Sequence, residues 1–176
     1  MLTLSLNDLL DYTDWERQQW HPWFQQHGEK AWELPAGPHG DGRFERVGDV
    51  VKHIFSAEKR YVERLFGKPL TDAASIPSDI EGLFQFGQQS RMAFKHLLET
   101  FSAEEWDVPR EFKILTFTIN VTPKKIALHV LMHEIRHWAQ LATLFRLNGF
   151  KVELHDFLFS PVLGGEIGRM DSSVGR

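Results

Sequence analysis

Cysteine is absent from this 176-residue chain. That absence alone removes disulfides, thiolate zinc sites, iron–sulfur clusters and a cysteine nucleophile. No stretch approaches 18 uninterrupted apolar residues, so no segment reads as a membrane-spanning helix. Basic charge is not in excess: 20 Lys and Arg stand against 24 Asp and Glu, a formal charge of -4 with a pI near 6.1. Holding nucleic-acid phosphates needs the opposite balance, so no nucleic-acid partner is expected. The opening residues carry Asp8 and Asp11 and no basic n-region. They do not read as a secretory signal, and a cytoplasmic protein is expected.

What is present fits one soluble domain over residues 1–176, with a core from about 5 to 158 and a loosely ordered tail from about 161. Four long helices are expected. The first runs from about Leu6 to Gln26, with Pro22 bending or ending it. A Gly/Pro-rich loop follows over Pro35–Gly42, then helices over about Phe44–Phe66 and Asp79–Phe101. Leu115–Val121 alternates apolar and polar residues, as a short strand or extended segment does. Thr122-Pro123 then gives an N-cap hydroxyl and a proline at the first helical position, and Asn148-Gly149 gives a stop. The last long helix is therefore placed at Pro123–Leu147. The fold class that follows is all-α, an antiparallel four-helix bundle with a short extended segment before its last long helix.

Nine histidines accompany the missing cysteines, so any metal must be held by N or O donors. Three of them, His129, His133 and His137, fall on one face of the last helix, within an arc of about 80°. Imidazoles four residues apart can converge on one ion. All three from one helix would strain to do so, because the outer pair is about 12 Å apart along the axis. A third ligand should come from another helix, and His53 is the candidate. By itself it is weak, since a lone histidine beside an apolar stripe is usually structural. His129 reads as a neighbour, a wall of the site or a helix contact. His21, His27, His39, His96 and His155 show no comparable spacing.

His133-Glu134-Ile135-Arg136-His137 also spells H-E-x-x-H, the zinc-protease signature with Glu134 as general base. That reading wants a downstream ligand, for which Glu153 or Asp156 stand available. The longer H-E-x-x-H-x-x-G-x-x-H form is absent, because Gln140 occupies the glycine position.

A second reading comes from resemblance. His53 followed by Glu58, the run Leu128–Gln140, then Leu147-Asn148-Gly149-Phe150 and Asp156 resemble the DinB/YfiT-like superfamily, which is unrelated to the DNA polymerase sharing its name. The order of elements agrees over about residues 5–158, including the aromatic first helix with Tyr12 and Trp15. The chain departs from the family pattern at Trp138-Ala139, where Arg-Gly is usual, and keeps Gln140. The resemblance implies a four-helix bundle holding a divalent metal, Zn or Ni, through His53, His133 and His137. Characterised relatives include transferases and isomerases that use low-molecular-weight thiols such as bacillithiol or mycothiol. It thus implies metal-activated transfer of such a thiol, as cosubstrate, to a small-molecule electrophile. Hydrolysis with Glu134 as base and a non-catalytic metal- or ligand-binding protein are the alternatives. Gln140, His129 and Arg60 are expected around the ligands or the substrate pocket, and Arg136 and Arg64 are further candidates for an anionic substrate. Finally, Leu128, Leu131, Ile135, Trp138, Ala142 and Phe145 form an apolar face opposite the histidines. A homodimer would cover it, as in many relatives; the alternative is that the Leu115–Val121 segment or Phe157–Val162 covers it within the chain.

Overall fold

A computed structural model of the protein describes residues 5–37, 43–114, 116–152 and 155–164. It is mainly helical, with α1 (Leu6–Trp32), α2 (Val47–Leu65), α3 (Ile80–Thr100), a short α4 (Ala103–Asp107) and α5 (Pro123–Leu147). Between α4 and α5 lies a hairpin of β1 (Arg110–Ile114) and β2 (Phe117–Val121), paired antiparallel with Phe112 opposite Ile119. The four long helices pack on one another. No helix among the described residues is long and apolar enough to cross a membrane.

The caps explain most boundaries. Ser5 accepts from the Asp8 amide while Asp8 accepts from that of Ser5, a capping box that starts α1. Asp79 caps α3 through the Gly82 amide. Thr122 and Pro123 open α5, and Gly149, at φ 78°, follows its end, both as the sequence indicates.

Two boundaries differ from expectation. α1 continues through Pro22 to Trp32, and its backbone break falls at Gly28, with φ 55°. An internal proline costs about 3 kcal/mol, but the turns beyond it bury Trp23, Phe24, Ala31 and Trp32. α2 begins at Val47 because the preceding residues are taken up in extended pairing. The Ala36 amide donates to the Glu45 carbonyl, and the Val47 amide to that of Leu34. This leaves Phe44 on the connecting loop. The extended segment expected before α5 is β2, whereas its partner β1 and α4 were not foreseen; Leu115 and most of the expected tail lie outside the described residues.

The core has two apolar layers. One is aromatic and gathers Trp20, Phe24, Phe55, Trp138 and Phe145. The other is mainly aliphatic, with Leu10, Val62, Leu97, Ile126 and Leu131 around Phe94 and Phe112. Each long helix contributes one member of a buried, ion-paired layer: Arg17, Glu58, Arg91 and Glu134. α2 and α3 approach closely beside this charged layer. A Cβ on Gly87 would lie 2.9 Å from the Phe55 ring, and the Gly87 carbonyl accepts from Arg17 Nη1 at 2.9 Å.

The apolar face of α5 opposite the histidines is buried within the chain. Trp138 stacks on Trp20 at 5.4 Å, and Phe145 packs on Trp23 at 4.4 Å. Leu131 and Ala142 are buried with them, leaving only Leu128 exposed and Ile135 half-buried. The face that motivated a homodimer therefore needs no second chain to cover it.

Candidate metal centre

The inward turn of Trp138 and Phe145 aims the other side of α5 at a cleft facing α2. There His133 and His137, one turn apart, meet His53 of α2. The ligand nitrogens of the three lie within 4.8 Å of one another, the sole grouping of this kind among the described residues. His133 Nε2 lies 2.9 Å from His53 Nε2 and 3.1 Å from His137 Nε2. His137 is buried, while His53 and His133 are half-buried.

This donor set fits a divalent cation. An imidazole nitrogen carries either one lone pair or one hydrogen, so His133 Nε2 cannot satisfy both neighbours by hydrogen bonding. A cation satisfies all three lone pairs at once. Nitrogen ligands about 2.0–2.1 Å from a tetrahedral zinc-type ion stand roughly 3.3 Å apart, close to the two short separations here. Burial, reinforced by His137, His53, His129 and Arg136, pushes the His133 pKa down to about 2. His133 is therefore a neutral donor at any physiological pH. Three protein ligands also leave coordination positions open, the pattern of reactive rather than structural sites.

Gln140 completes the orientation. Its Oε1 lies 2.7 Å from His137 Nδ1, and an amide oxygen can only accept. That contact keeps the hydrogen on Nδ1 and the lone pair on Nε2, facing the cluster. Gln140→Leu is expected to weaken metal binding by about 10–100-fold, the usual cost of losing such a partner, with the fold intact. Competition titration against a chromogenic chelator measures it.

Glu134 lies elsewhere. Its carboxylate accepts from Arg17 Nε at 2.6 Å and Nη2 at 2.7 Å, from Arg91 Nη2 at 2.7 Å and from Trp138 Nε1 at 3.0 Å. Burial alone would raise its pKa, but Arg17 and Arg91 hold it below the ordinary value. Glu58 joins the same layer, with Oε2 3.0 Å from both Arg17 Nη2 and Arg91 Nε. Glu134 is thus neither a solvated helix carboxylate nor a base beside the histidines. The reason is rotational: about 100° separates it from His133, which turns it to the core. The further ligand that the protease signature wants is not supplied by Asp156, which caps the turn Phe157–Phe159. Glu153 and His39 lie outside the described residues.

A cavity of about 900 Å³ opens beside His137, lined by α5 from Arg136 to Leu147 and by parts of the Ala36–Val50 stretch. Phe44 lies at its inner end, 4.8 Å from the His53 ring and 6.3 Å from that of His137. Gln140 belongs to this wall, whereas Arg60 does not: it is exposed on α2, and its carbonyl accepts from Arg64 Nη1. His129 is exposed one turn before His133, its ring 5.6 Å from it and edge-on to Tyr61 at 5.3 Å. Sequence reasoning missed Arg43 and Phe44, which sit on a loop without periodicity. It also missed the buried charges, although each interrupts an apolar stripe at helical spacing.

Of the remaining histidines, His155 stacks on Trp20 at 4.3 Å, His21 meets Glu81 at 3.2 Å, His27 bonds the Trp23 carbonyl, and His96 stacks on Phe66. None of these joins the cluster. Among curated proteins, none is similar enough to this chain to count as a match. The DinB family model matches residues 1–164, nearly the whole sequence and all three clustered histidines, and the chain belongs to the DinB family.

Proposed function

We propose that His53, His133 and His137 hold a zinc- or nickel-type divalent cation, and that the protein uses it to activate a low-molecular-weight thiol for transfer to a small electrophile. The four long helices are then the antiparallel bundle of the family. The observation that carries this reading is the convergence of three imidazole Nε2 atoms, with no carboxylate in the cluster among the described residues. Such a cation supplies the Lewis acidity that lowers the pKa of a ligating thiol to neutral pH or below.

The chain's own residues have simpler tasks. The three imidazoles would hold the ion, and one of them, His137, also lines the cavity where a substrate could approach. Gln140 fixes the tautomer of His137, and Phe44 keeps water from one flank of the cluster. Thiol activation by coordination needs no protein base, which suits a site whose nearest sequence candidate, Glu134, is bound to two arginines. The lack of cysteine means that the sulfur arrives with a cosubstrate.

The test loads the protein with Zn²⁺ or Ni²⁺ and follows consumption of a thiol together with an electrophile such as monochlorobimane. Thiol-dependent turnover that disappears in His133→Ala is the expected result. Hydrolysis of an ester or amide panel without thiol, or stoichiometric metal with no turnover of either kind, would favour a hydrolase or a non-catalytic binder instead.

A further inference from the structure

We propose that the cavity beside His137 takes a neutral electrophile with an elongated apolar body of about 10 Å, lying along α5 with its reactive end at the imidazoles. This names the class of the small-molecule substrate and rests on the reading of the three histidines as the reaction centre.

α5 lines the cavity with two rows of residues, which differ in exposure. The inner row is His137, Leu141 and Leu144, of which the first two are buried and the third half-buried. From His137 to Leu144 the helix advances about 10 Å. Ala36 and Val50, both buried, and the half-buried Phe44 line the cavity from the other chain segment. The inner surface is therefore apolar along its length and carries a histidine at one end only. The outer row is Arg136, Gln140 and Thr143, all exposed, so polar substituents of a ligand find partners at the rim.

Charge is likewise confined to the rim. Arg136 and Arg43 are both exposed, Arg43 is already engaged within the chain, and no Asp or Glu lines the cavity among the described residues. An ion laid along the inner row would lose its water without gaining a partner, a cost that a neutral body avoids. Burial of that body gains up to about fourfold in affinity per methylene. The volume, about 900 Å³, lies within the roughly 300–1,000 Å³ of small-ligand pockets.

The test follows displacement of the neutral fluorophore N-phenyl-1-naphthylamine from the full chain by butan-1-ol, hexan-1-ol, octan-1-ol, octanoate and octylamine. Zinc-loaded and chelator-treated protein are compared. Affinity is expected to climb along the alcohols by at least about threefold for each added pair of methylenes, in both metal states. Octanoate and octylamine should bind no more tightly than octan-1-ol. Leu144→Ala should weaken octan-1-ol by about 3–10-fold and Leu144→Glu by more than about tenfold, with zinc stoichiometry unchanged. Thr143→Ala and Arg136→Gln, on the rim, should leave its affinity within about twofold. Absence of displaceable binding, an affinity independent of chain length, or a charged ligand binding about tenfold more tightly than the alcohol would overturn the proposal. So would unchanged octan-1-ol affinity in both Leu144 variants, or alcohol binding that requires zinc, which would make it a metal ligand only. Zinc stoichiometry in the same samples reports on the histidine site separately, so either reading can fail without the other.

Discussion

Glu134→Ala is expected to lower the free energy of unfolding by about 3–5 kcal/mol, the cost of breaking a buried ion pair from one side. Arg17 and Arg91 would be left in the core with Glu58 and the partly exposed Asp14 as their remaining carboxylate partners. Burial would lower the pKa of Arg17, yet Glu134 and Glu58 raise it, so the guanidinium stays charged. With total stabilities of about 5–15 kcal/mol, such a loss is a large fraction of the whole. Urea unfolding followed by tryptophan fluorescence measures it, and Trp138, a direct partner of Glu134, gives the signal local meaning. Pairing the change with Arg17→Met should recover part of the loss, because the uncompensated charge is removed as well. The protease-type reading expects the opposite: an unchanged unfolding midpoint and lost activity.

His133→Ala is expected to abolish high-affinity metal binding, by more than the roughly 10–100-fold that losing an orienting partner costs. His133 is the middle donor, within 3.1 Å of both other imidazoles, so its removal leaves His53 and His137 without the nitrogen that links them. The metal-free fold should tolerate the change, because the side chain is only half-buried and faces the cleft. Saturating zinc at about 1,000 times its dissociation constant should stabilise the parent protein by about 4 kcal/mol. His133→Ala should lose that gain while keeping its metal-free unfolding midpoint. A zinc-induced shift of the same size in the variant would show that the ion binds elsewhere.

The two substitutions fall on adjacent residues of one helix, and their effects diverge because a step of about 100° separates the cleft from the core. That divergence marks where sequence reading succeeded and failed. The i, i+4 spacing of His133 and His137 was legible because it is a property of one helix. His53 was named as a candidate from the sequence, but only the packing of α2 on α5 brings its Nε2 against that of His133. The short motif around Glu134 misled because it specifies ligand spacing and not the direction in which the helix turns its third position. A signal was nonetheless present. Glu134 lies on the stripe of Ala127, Leu131, Trp138 and Phe145, and Glu58 on that of Val51, Ile54, Val62 and Leu65. A carboxylate within an apolar stripe must find buried partners, and here Arg17 and Arg91 on the other two long helices supply them.

By itself the sequence determined what local chemistry controls. Caps and stops such as Thr122-Pro123 and Asn148-Gly149 bound α5, because they act within a turn of the helix end. The absence of cysteine limited metal donors to nitrogen and oxygen, and the spacing of the histidines put two of them on one face. The tertiary structure decided which side of α5 faces inward, and so which of His133 and Glu134 meets the cleft. It also brought Phe44 and Arg43 to the histidines and covered the apolar face within one chain. Those outcomes depend on contacts between residues far apart in the sequence, where burial of Trp20, Trp138 and Phe145 outweighs any local preference.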